Sequence, residues 1–426
     1  MDLRERASNM EKQQKHIPQL RFPEFQNDGE WEVKRLGEIA ERIITRNKDN
    51  EVYPVLTNSA TEGVINQQDY FDREIVSKDK LTNYHIIKFD DFVYNPRIST
   101  AAPVGPISRN KIGTGIMSPL YTIFRFKVGN IDFLEQYFRT NCWHQYLKDR
   151  ANFGARFDRM NITSEDFLKL PLPFPPLAEQ QRIAIALSEF DTILSATKDK
   201  LEQLKAYKNG LMQKLFPAKG KTLPEYRFKD FVKEEEWKVK KLGDFLFEHK
   251  TKSDGKCQVY SISVSKGVIN QMEYLGRCFA AADTSNYKLV KPYDIVYTKS
   301  PTGDFPYGIV KQSFVDHNVI VSPLYGVFSP NNKYIGYIIH SYFESSTRIN
   351  NYLAPIVQKG AKNTIQITND VFLSQNVCFP TNENEQCKIA SCLFLVDETI
   401  NTYTEKVVQM EQLKKGLMQR MFPTLK

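Results

Sequence analysis

The sequence predicts an α+β protein in which one module of roughly two hundred residues occurs twice and each copy ends in a long coiled-coil helix. The first observation behind this prediction is an internal repeat. PQLRFPEFQNDGEWEVKRLG from Pro18 and PEYRFKDFVKEEEWKVKKLG from Pro224 share ten of their twenty residues without a gap, and LMQKLFP from Leu211 recurs as LMQRMFP from Leu417 at the same offset of 206 residues. The second observation is a heptad pattern of apolar residues that closes both copies.

The first part of each module, residues 18–175 and 218–380, has the pattern of a mixed domain. Runs of β-branched and aromatic residues such as YTIFRF, QVYSISV and DIVYT lie between glycines and prolines, which is typical of strands. IDFLEQYFRTNCWHQYL in the first copy and KYIGYIIHSYF in the second have helical character. Residues 1–17 are a charged N-terminal extension without the apolar core of a secretory signal.

Residues 176–217 and 381–426 are each predicted to form one long helix. Seam residues recur at alternating spacings of four and three, and Pro217 and Pro423 end the two patterns. In the first helix the apolar seam residues are Ile183, Leu187, Phe190, Leu194, Leu201, Leu204, Leu211 and Leu215. In the second helix the seam residues are Ile389, Leu393, Val396, Ile400, Tyr403, Val407, Met410 and Leu417.

Two arrangements of these helices are compatible with the seams. Each helix could pack only on its own domain, or the two helices could pack on each other. We favour an antiparallel pair, because two matching seams of more than four heptads suit helices that separate the duplicated domains about an approximate two-fold axis. Lys208 and Lys414 interrupt the seams at equivalent positions, where a lysine either reaches solvent or sets the helix register, and we expect them to reach solvent.

Composition indicates a polyanionic partner rather than a membrane. The 426 residues carry a formal net charge of +8, and the sequence pI is ≈ 8.9. The sequence contains no run of eighteen apolar residues. We therefore expect a cytoplasmic protein that does not cross a membrane.

The sequence contains no complete catalytic motif. The GxxxxGK[ST] phosphate loop is absent, and Asn95-Pro96-Arg97 departs from the Asn-Pro-Pro-aromatic pattern of adenine methyltransferases. Cys142-Trp143-His144 and the pair of Cys387 and Cys392 each provide fewer ligands than zinc usually requires. We therefore predict no catalytic residues, no metal site and no cofactor bound by this chain.

The motifs resemble those of one known family. LRFPEFQNDGEWEVKRLGE from Leu20, repeated from Tyr226, resembles the start of a target-recognition domain. PLPFPPLAEQQRIAIAL from Pro171 resembles the start of the conserved-region helix in specificity subunits of type I restriction-modification systems, and LKAYKNGLMQKLFP from Leu204 resembles its end. The second helix departs from this pattern where PTNENEQCKIA replaces PPLAEQQRIA.

The resemblance implies a DNA-reading subunit whose chemistry belongs to its partners. Each target-recognition domain would bind one half of a split, asymmetric site in double-stranded DNA, and the helices would set the unread spacer. Two modification subunits would dock around the helices and methylate adenine with S-adenosylmethionine. Restriction subunits with ATP-dependent motors would complete the assembly, so that S-adenosylmethionine, ATP and Mg²⁺ are expected on the partner subunits.

Candidate DNA contacts are polar and basic side chains in loops at equivalent places of the two copies. Phosphate binding requires cations, and base readout requires side chains with directional hydrogen bonds. In the first copy the candidates are Asn95, Arg97, Arg109, Lys111, Arg156 and Arg159. In the second copy they are Lys299, Thr302, Lys311, Lys359 and Lys362. The positions correspond while the residues differ, as two different half-sites would require.

Two rival functions are compatible with parts of the pattern. A structural adaptor could use paired coiled coils to gather partner proteins, with incidental basic loops. A nuclease with tandem binding domains would need a cluster of metal-binding carboxylates, which the sequence does not indicate. We favour the DNA-reading subunit over both.

Overall fold

The computed structural model describes residues 16–49, 54–70, 78–153, 158–253, 255–277, 283–359 and 365–425. The chain divides into two compact units. Unit 1 comprises the chain up to Thr197 together with residues 406–426, and unit 2 comprises residues 198–405. Each unit therefore joins the domain of one copy to the first half of its own long helix and to the last part of the other copy's helix.

The secondary structure of unit 1 alternates short strands with short helices before the first long helix. Its strands are β1 (Glu32–Arg35), β2 (Ala40–Ile43), β3 (Leu56–Ser59), β4 (Gly63–Asn66), β5 (His85–Ile87), β6 (Phe92–Tyr94), β7 (Ile107–Arg109), β8 (Gly115–Met117), β9 (Thr122–Phe126), β10 (Asn152–Phe153), β11 (Met160–Asn161) and β12 (Pro171–Phe174). Its helices are α1 (Leu36–Ile39), α2 (Gln67–Tyr70), α3 (Ile131–Phe138), α4 (His144–Arg150), α5 (Ser164–Leu168) and the start of α6 (Leu177–Leu215).

The strands of unit 2 follow one another in the same order as those of unit 1, so that β13 corresponds to β1 and each later strand to the one numbered twelve lower. Its strands are β13 (Val239–Lys241), β14 (Leu246–Glu248), β15 (Tyr260–Ser263), β16 (Gly267–Asn270), β17 (Lys288–Val290), β18 (Ile295–Thr298), β19 (Ile309–Gln312), β20 (Val319–Val321), β21 (Gly326–Pro330), β22 (Gln358–Lys359), β23 (Ile365–Gln366) and β24 (Asn376–Cys378). Its helices are α7 (Gln271–Leu275), α8 (Lys333–Phe343), α9 (Ser346–Leu353), α10 (Asn369–Ser374) and the start of α11 (Glu383–Met421).

A four-stranded antiparallel sheet lies at the centre of each unit. Its order is β2-β9-β6-β7 in unit 1 and β14-β21-β18-β19 in unit 2. Two-stranded pairs surround it in matching combinations, including β1 with β12 and β13 with β24. The predicted α+β class and the duplication are therefore confirmed, and the match between the two strand orders extends the repeat beyond the positions where the residues are identical.

The core of unit 1 lies between the central sheet, the short helices and both long helices. Phe92 and Phe124 are fully buried and stacked, with ring centroids 5.7 Å apart. Ile183 and Leu187 of α6 belong to the same buried cluster, as does Met421 at the end of α11. Packing of a helix on its own domain and packing beside the other helix therefore both occur within this unit.

Each long helix contains 39 residues. Every predicted seam residue is buried or half-buried, as the heptad spacing requires. Within unit 1 the first half of α6 lies beside the last turns of α11, and within unit 2 the last half of α6 lies beside the first half of α11. These contacts correspond to an antiparallel helix pair.

The expectation that the two seam lysines reach solvent is wrong. The Lys208 ammonium group is 2.5 Å from a carboxylate oxygen of Asp397, and its side chain is 16% exposed. Lys414 forms the equivalent ion pair with Asp191. Both lysines therefore face an acid on the other helix, at positions that repeat with the offset of 206 residues, which is the register-setting alternative.

Candidate nucleic-acid interface

The residues that are identical in the two copies hold the start of each domain to its long helix. The guanidinium group of Arg21 donates to both carboxylate oxygens of Glu179, at 2.7 Å each, and the Trp31 indole donates to the same carboxylate at 3.1 Å. The Glu179 side chain is fully buried. A buried carboxylate requires this many donors, because charge removed from water is costly unless it is paired.

Unit 2 contains the same arrangement. Arg227 donates to both oxygens of Glu385, at 2.7 and 2.9 Å, and Trp237 donates at 3.1 Å. We call each set of three residues, Arg21–Trp31–Glu179 and Arg227–Trp237–Glu385, a clamp. Their identity in the two copies follows from a structural requirement, so the clamps do not distinguish one DNA sequence from another.

The first pair of loops chosen for DNA-contact candidates, YNPRISTAAPVGPISRNK from Tyr94 and YTKSPTGDFPYGIVKQ from Tyr297, is also anchored in the same way in both copies. The hydroxyl group of Tyr94 donates to the carbonyl of Val104, and that of Tyr297 donates to the carbonyl of Tyr307. Gly105 has φ +81°, and an added Cβ atom would lie 2.1 Å from a backbone oxygen of Asn95. The same conflict occurs at its counterpart Gly308, so both loops require glycine at this turn.

Three candidates of the first copy differ in how readily their side chains could contact DNA. Asn95 is half-buried, and its amide group donates to the carbonyl of Asn58 at 2.9 Å, so it supports the loop itself. The Arg97 side chain is 60% exposed, and its closest acidic partner is Asp158 at 3.9 Å. Arg159 is 30% exposed and also lies 3.9 Å from Asp158. Arg97 and Arg159 are adjacent on paired backbone segments, and their weak ion pairs leave them able to bind another anion.

Arg109 and Lys111 form ion pairs within unit 1. The Arg109 guanidinium group contacts Asp90, Asp132 and Glu135 at 2.5 to 3.2 Å, and its side chain is 12% exposed. Lys111 is 55% exposed but lies 2.8 Å from Glu135. A phosphate contact by Arg109 would require these ion pairs to open, whereas Lys111 could reach an anion by a change of rotamer.

Of the described candidates in the second copy, two lysines are buried or half-buried and one threonine is exposed. Lys299 is half-buried, and burial followed by the nearby Lys288 lowers its pKa from the usual range. Thr302 is exposed. Lys311 is buried within β19, where its ammonium group lies 2.8 Å from Glu344, because the strand extends through a segment that the sequence suggested was a loop.

Three of the candidates cannot be placed at the level of their side chains. Arg156 and Lys362 lie outside the described residues. Lys359 lies in β22, and only its backbone is described. Their DNA contacts remain predictions.

A basic groove that was not among the sequence-based candidates lies elsewhere in unit 1. It has a volume of about 820 Å³, and another large cleft of this unit has a volume of about 720 Å³. Its lining residues are Arg42, Ile44, Thr45, Arg46, Lys48, His85 and Pro119. The run RIITRNK, which begins at Arg42, was the signal in the sequence that could have indicated it.

No cofactor or metal site can be assigned to the described residues. They contain no cluster of three or more His, Cys, Asp or Glu side chains that could hold a metal ion. Within the same residues no helix has the length and apolar character needed to cross a bilayer. The arrangement on the surface is that of cations in shallow grooves and loops, which is suited to binding an extended anion.

Comparison with known proteins shows which family this chain is similar to. Residues 28–206 match the family described as "Type I restriction modification DNA specificity domain". Residues 28–206 of the chain are therefore similar to this type I restriction-modification specificity domain. The matched segment begins before Trp31 and extends through most of α6, and the internal repeat relates the second copy to it.

Curated relatives of the family come from Methanocaldococcus jannaschii. The chain is 26% identical over 236 residues to the putative type I restriction enzyme MjaX specificity subunit, which covers 50% of this chain and 52% of that protein. It is 28% identical over 246 residues to the MjaVIII specificity subunit, covering 54% of this chain and 52% of that protein. The alignments thus span about half the length of these relatives.

A solved structure supports the fold over a longer range. The type I restriction-modification S subunit from M. genitalium superimposes with a TM-score of 0.59, covering 96% of this chain and 100% of that chain at 14% identity. This likeness shows a shared fold over nearly the whole chain.

Proposed function

We propose that this chain is the DNA-sequence specificity subunit of a type I restriction-modification complex. In this proposal it binds a bipartite, asymmetric DNA site, with one half-site contacted by each unit. The observation that carries the proposal is the contrast within the duplication: the two units share their clamps and strand order, whereas their exposed basic residues differ. Reading of two different half-sites requires a common scaffold with different contact surfaces.

The chemistry of the complex would reside in partner subunits. Two modification subunits would dock around α6 and α11 and methylate adenine, and restriction subunits would join them. S-adenosylmethionine, ATP and Mg²⁺ would be bound by those partners, and the complex would act in the cytoplasm. Exposed apolar side chains on both helices support docking of other proteins: Ile185 and Ile193 on α6, and Phe394 and Leu395 on α11.

The proposal is tested with the chain assembled with its modification subunits. A gel-shift measurement should show tight binding to one bipartite sequence and much weaker binding to a fragment in which either half is changed. Methylation with S-adenosylmethionine should occur only in fragments that contain both halves. A complex that assembles but binds no DNA would instead support the structural adaptor, and equal binding of all DNA fragments would contradict sequence-specific reading.

A further inference from the structure

The groove that contains Arg42, Arg46 and Lys48 has a fixed backbone. After β2, the chain continues beside β5, where Arg46 is bridged to His85. The amide of Asn47 donates to the carbonyl of Tyr84 at 2.9 Å, and the amide of Ile86 donates to the carbonyl of Thr45 at 2.8 Å. These bonds hold the segment that carries the three cations against the domain.

The three cations of the groove are exposed and form no ion pair with any described residue. The acids nearest in the sheet already have other partners. Glu41 lies 2.8 Å from Lys127, and the buried carboxylate of Asp91 is bound by Arg125 at 2.6 Å. Among the described residues of unit 1, no acid therefore forms an ion pair with a cation of the groove.

His85 lies beneath these cations and is 7% exposed. Its Nδ1 atom is buried without a hydrogen-bond partner. Burial, followed by the charges of Arg42 and Arg46, lowers the pKa of His85. An anion placed between the two arginines would weaken the charge repulsion that disfavours the imidazolium form.

At the equivalent position of unit 2 an acid replaces one of the cations. Arg42 and Glu248 occupy the same place, because each pairs with the corresponding phenylalanine of the neighbouring strand. Glu248 accepts a hydrogen bond from Asn369 at 2.7 Å and lies 3.5 Å from Lys288, which replaces His85. Lys252, the counterpart of Arg46, donates to the side chain of Asn286 at 2.9 Å. Unit 2 therefore has an acid and a hydrogen-bonded lysine where unit 1 has Arg42 and Arg46.

We propose that the groove of Arg42, Arg46 and Lys48 binds the phosphodiester backbone of DNA next to the half-site contacted by unit 1. This proposal rests on the proposed function and adds a location and a role to it. The three side chains are exposed cations, which suit contacts to phosphate that position the DNA without reading its sequence. The counterpart in unit 2, where Glu248 replaces Arg42, would contribute less to binding.

The test is the salt dependence of DNA binding by the assembled complex. For the triple variant Arg42→Ala, Arg46→Ala, Lys48→Ala we expect the slope of log K against log salt to decrease by about 2 to 3, since each phosphate contact contributes about 0.9. Affinity should fall by at least about tenfold at low salt, while the ratio of binding between the cognate site and a single-base variant stays within about twofold of wild type. Arg46→Lys should keep the wild-type slope because it retains the charge.

Two matched controls separate this site from general charge loss. Lys148→Ala removes an exposed cation on α4 of the same unit. Lys252→Ala removes the counterpart of Arg46 in unit 2. Each control should change the slope of log K against log salt by less than the substitution of a groove arginine by alanine does. A wild-type slope in the triple variant, or equal decreases in the controls, would overturn the groove. Absence of sequence-specific binding by the wild-type complex would overturn the proposed function itself and the groove with it.

A second readout reports on His85 directly. In an NMR titration of the assembled complex, the pKa of His85 should rise when a duplex containing the cognate site is added, because phosphate charge offsets that of the two arginines. An unchanged His85 titration in the presence of bound DNA would contradict the placement of phosphate in this groove.

Discussion

Glu179 in unit 1 and Glu385 in unit 2 accept the same hydrogen bonds from an arginine and a tryptophan. By contrast, Arg42 in unit 1 and Glu248 in unit 2 occupy one position with opposite charges. This comparison shows which positions of the duplicated fold are the same in the two units and which have diverged. Positions that join a domain to its helix are the same in both units, and positions on the exposed edge of the central sheet have diverged.

The largest expected effect comes from breaking a clamp. Glu179→Ala and Glu385→Ala each leave a nearly buried arginine without its carboxylate, so each should lower the free energy of unfolding by about 3 to 5 kcal/mol. Urea unfolding followed by circular dichroism measures both losses. Because the two clamps have the same geometry, the losses should agree within about 1 kcal/mol, and a loss in only one variant would show that the units are not built equivalently.

A smaller, unequal effect is expected at the seam lysines. Lys208 is within 2.5 Å of both Asp397 and Glu344, whereas Asp191 is the one acid among the described residues that pairs with Lys414. Lys208→Met should therefore cost about 2 to 4 kcal/mol and Lys414→Met about half of that. Thermal unfolding of the two variants measures the difference, and equal costs would contradict the assignment of two carboxylates to Lys208.

The network around Lys208 also predicts a pH dependence. Burial lowers the pKa of His340 to about 4, with Glu344 opposing this effect and Lys311 and Lys208 adding to it. The unfolded chain would bind a proton near pH 6.5 that the folded chain does not, so stability should fall as the pH decreases from 6.5 towards 4. The loss attributable to His340 should be about 2 kcal/mol between pH 6.5 and 5.

The variant His340→Asn tests this dependence, since asparagine can still accept the hydrogen bond that His340 Nδ1 receives from the amide of Gln312. Urea unfolding at pH 6.5 and pH 5 should show a smaller difference in the variant than in the wild type. The pKa of Glu344 lies well below its usual range, despite burial, because His340, Lys311 and Lys208 stabilise its charge. The contribution of Glu344 to stability is therefore lost only below the ordinary pKa range of glutamate. If His340→Asn shows the same loss of stability between pH 6.5 and pH 5 as the wild type, the role of His340 is contradicted.

The smallest expected effect on stability is at Arg97. Its exposed side chain has only a weak ion pair, so Arg97→Ala should change the free energy of unfolding by less than about 0.5 kcal/mol. If Arg97 contacts DNA, the same variant should weaken binding to the cognate site by about 1 to 3 kcal/mol. Fluorescence anisotropy with labelled duplex measures the second quantity, and a stable variant with wild-type affinity would remove Arg97 from the interface.

The fold could be predicted from the sequence because its signals are local or repeated. The buried seam of α6 could be predicted from the spacing of Ile183, Leu187 and the later seam residues. Arg21 and Trp31 stood out because the same residues occur at the equivalent positions of the second copy. Their common partner Glu179 could not be paired with them, because it lies 158 residues from Arg21 along the chain. Periodicity reports which face of a helix is buried and does not report which side chain meets it.

The interface was less predictable for a related reason. Lys311 follows a glycine and a turn, yet the strand that starts at Ile309 buries it. Arg42 and Glu248 look like ordinary charged surface residues, and only their tertiary neighbours show that one forms no ion pair with a described residue and the other is paired with Lys288. Whether a basic residue is available to bind DNA depends on acids that are distant in the sequence.

The central claim is that two equivalently built units bind two different half-sites through their diverged surfaces. The most direct test replaces residues 40–170 with the equivalent residues 246–375 and determines the methylated motif by sequencing DNA from cells that also contain the modification subunits. The account predicts that the half-site of unit 2 then occurs at both ends of the motif, with the half-site of unit 1 lost. Methylation of the original asymmetric motif by this chimera would contradict it.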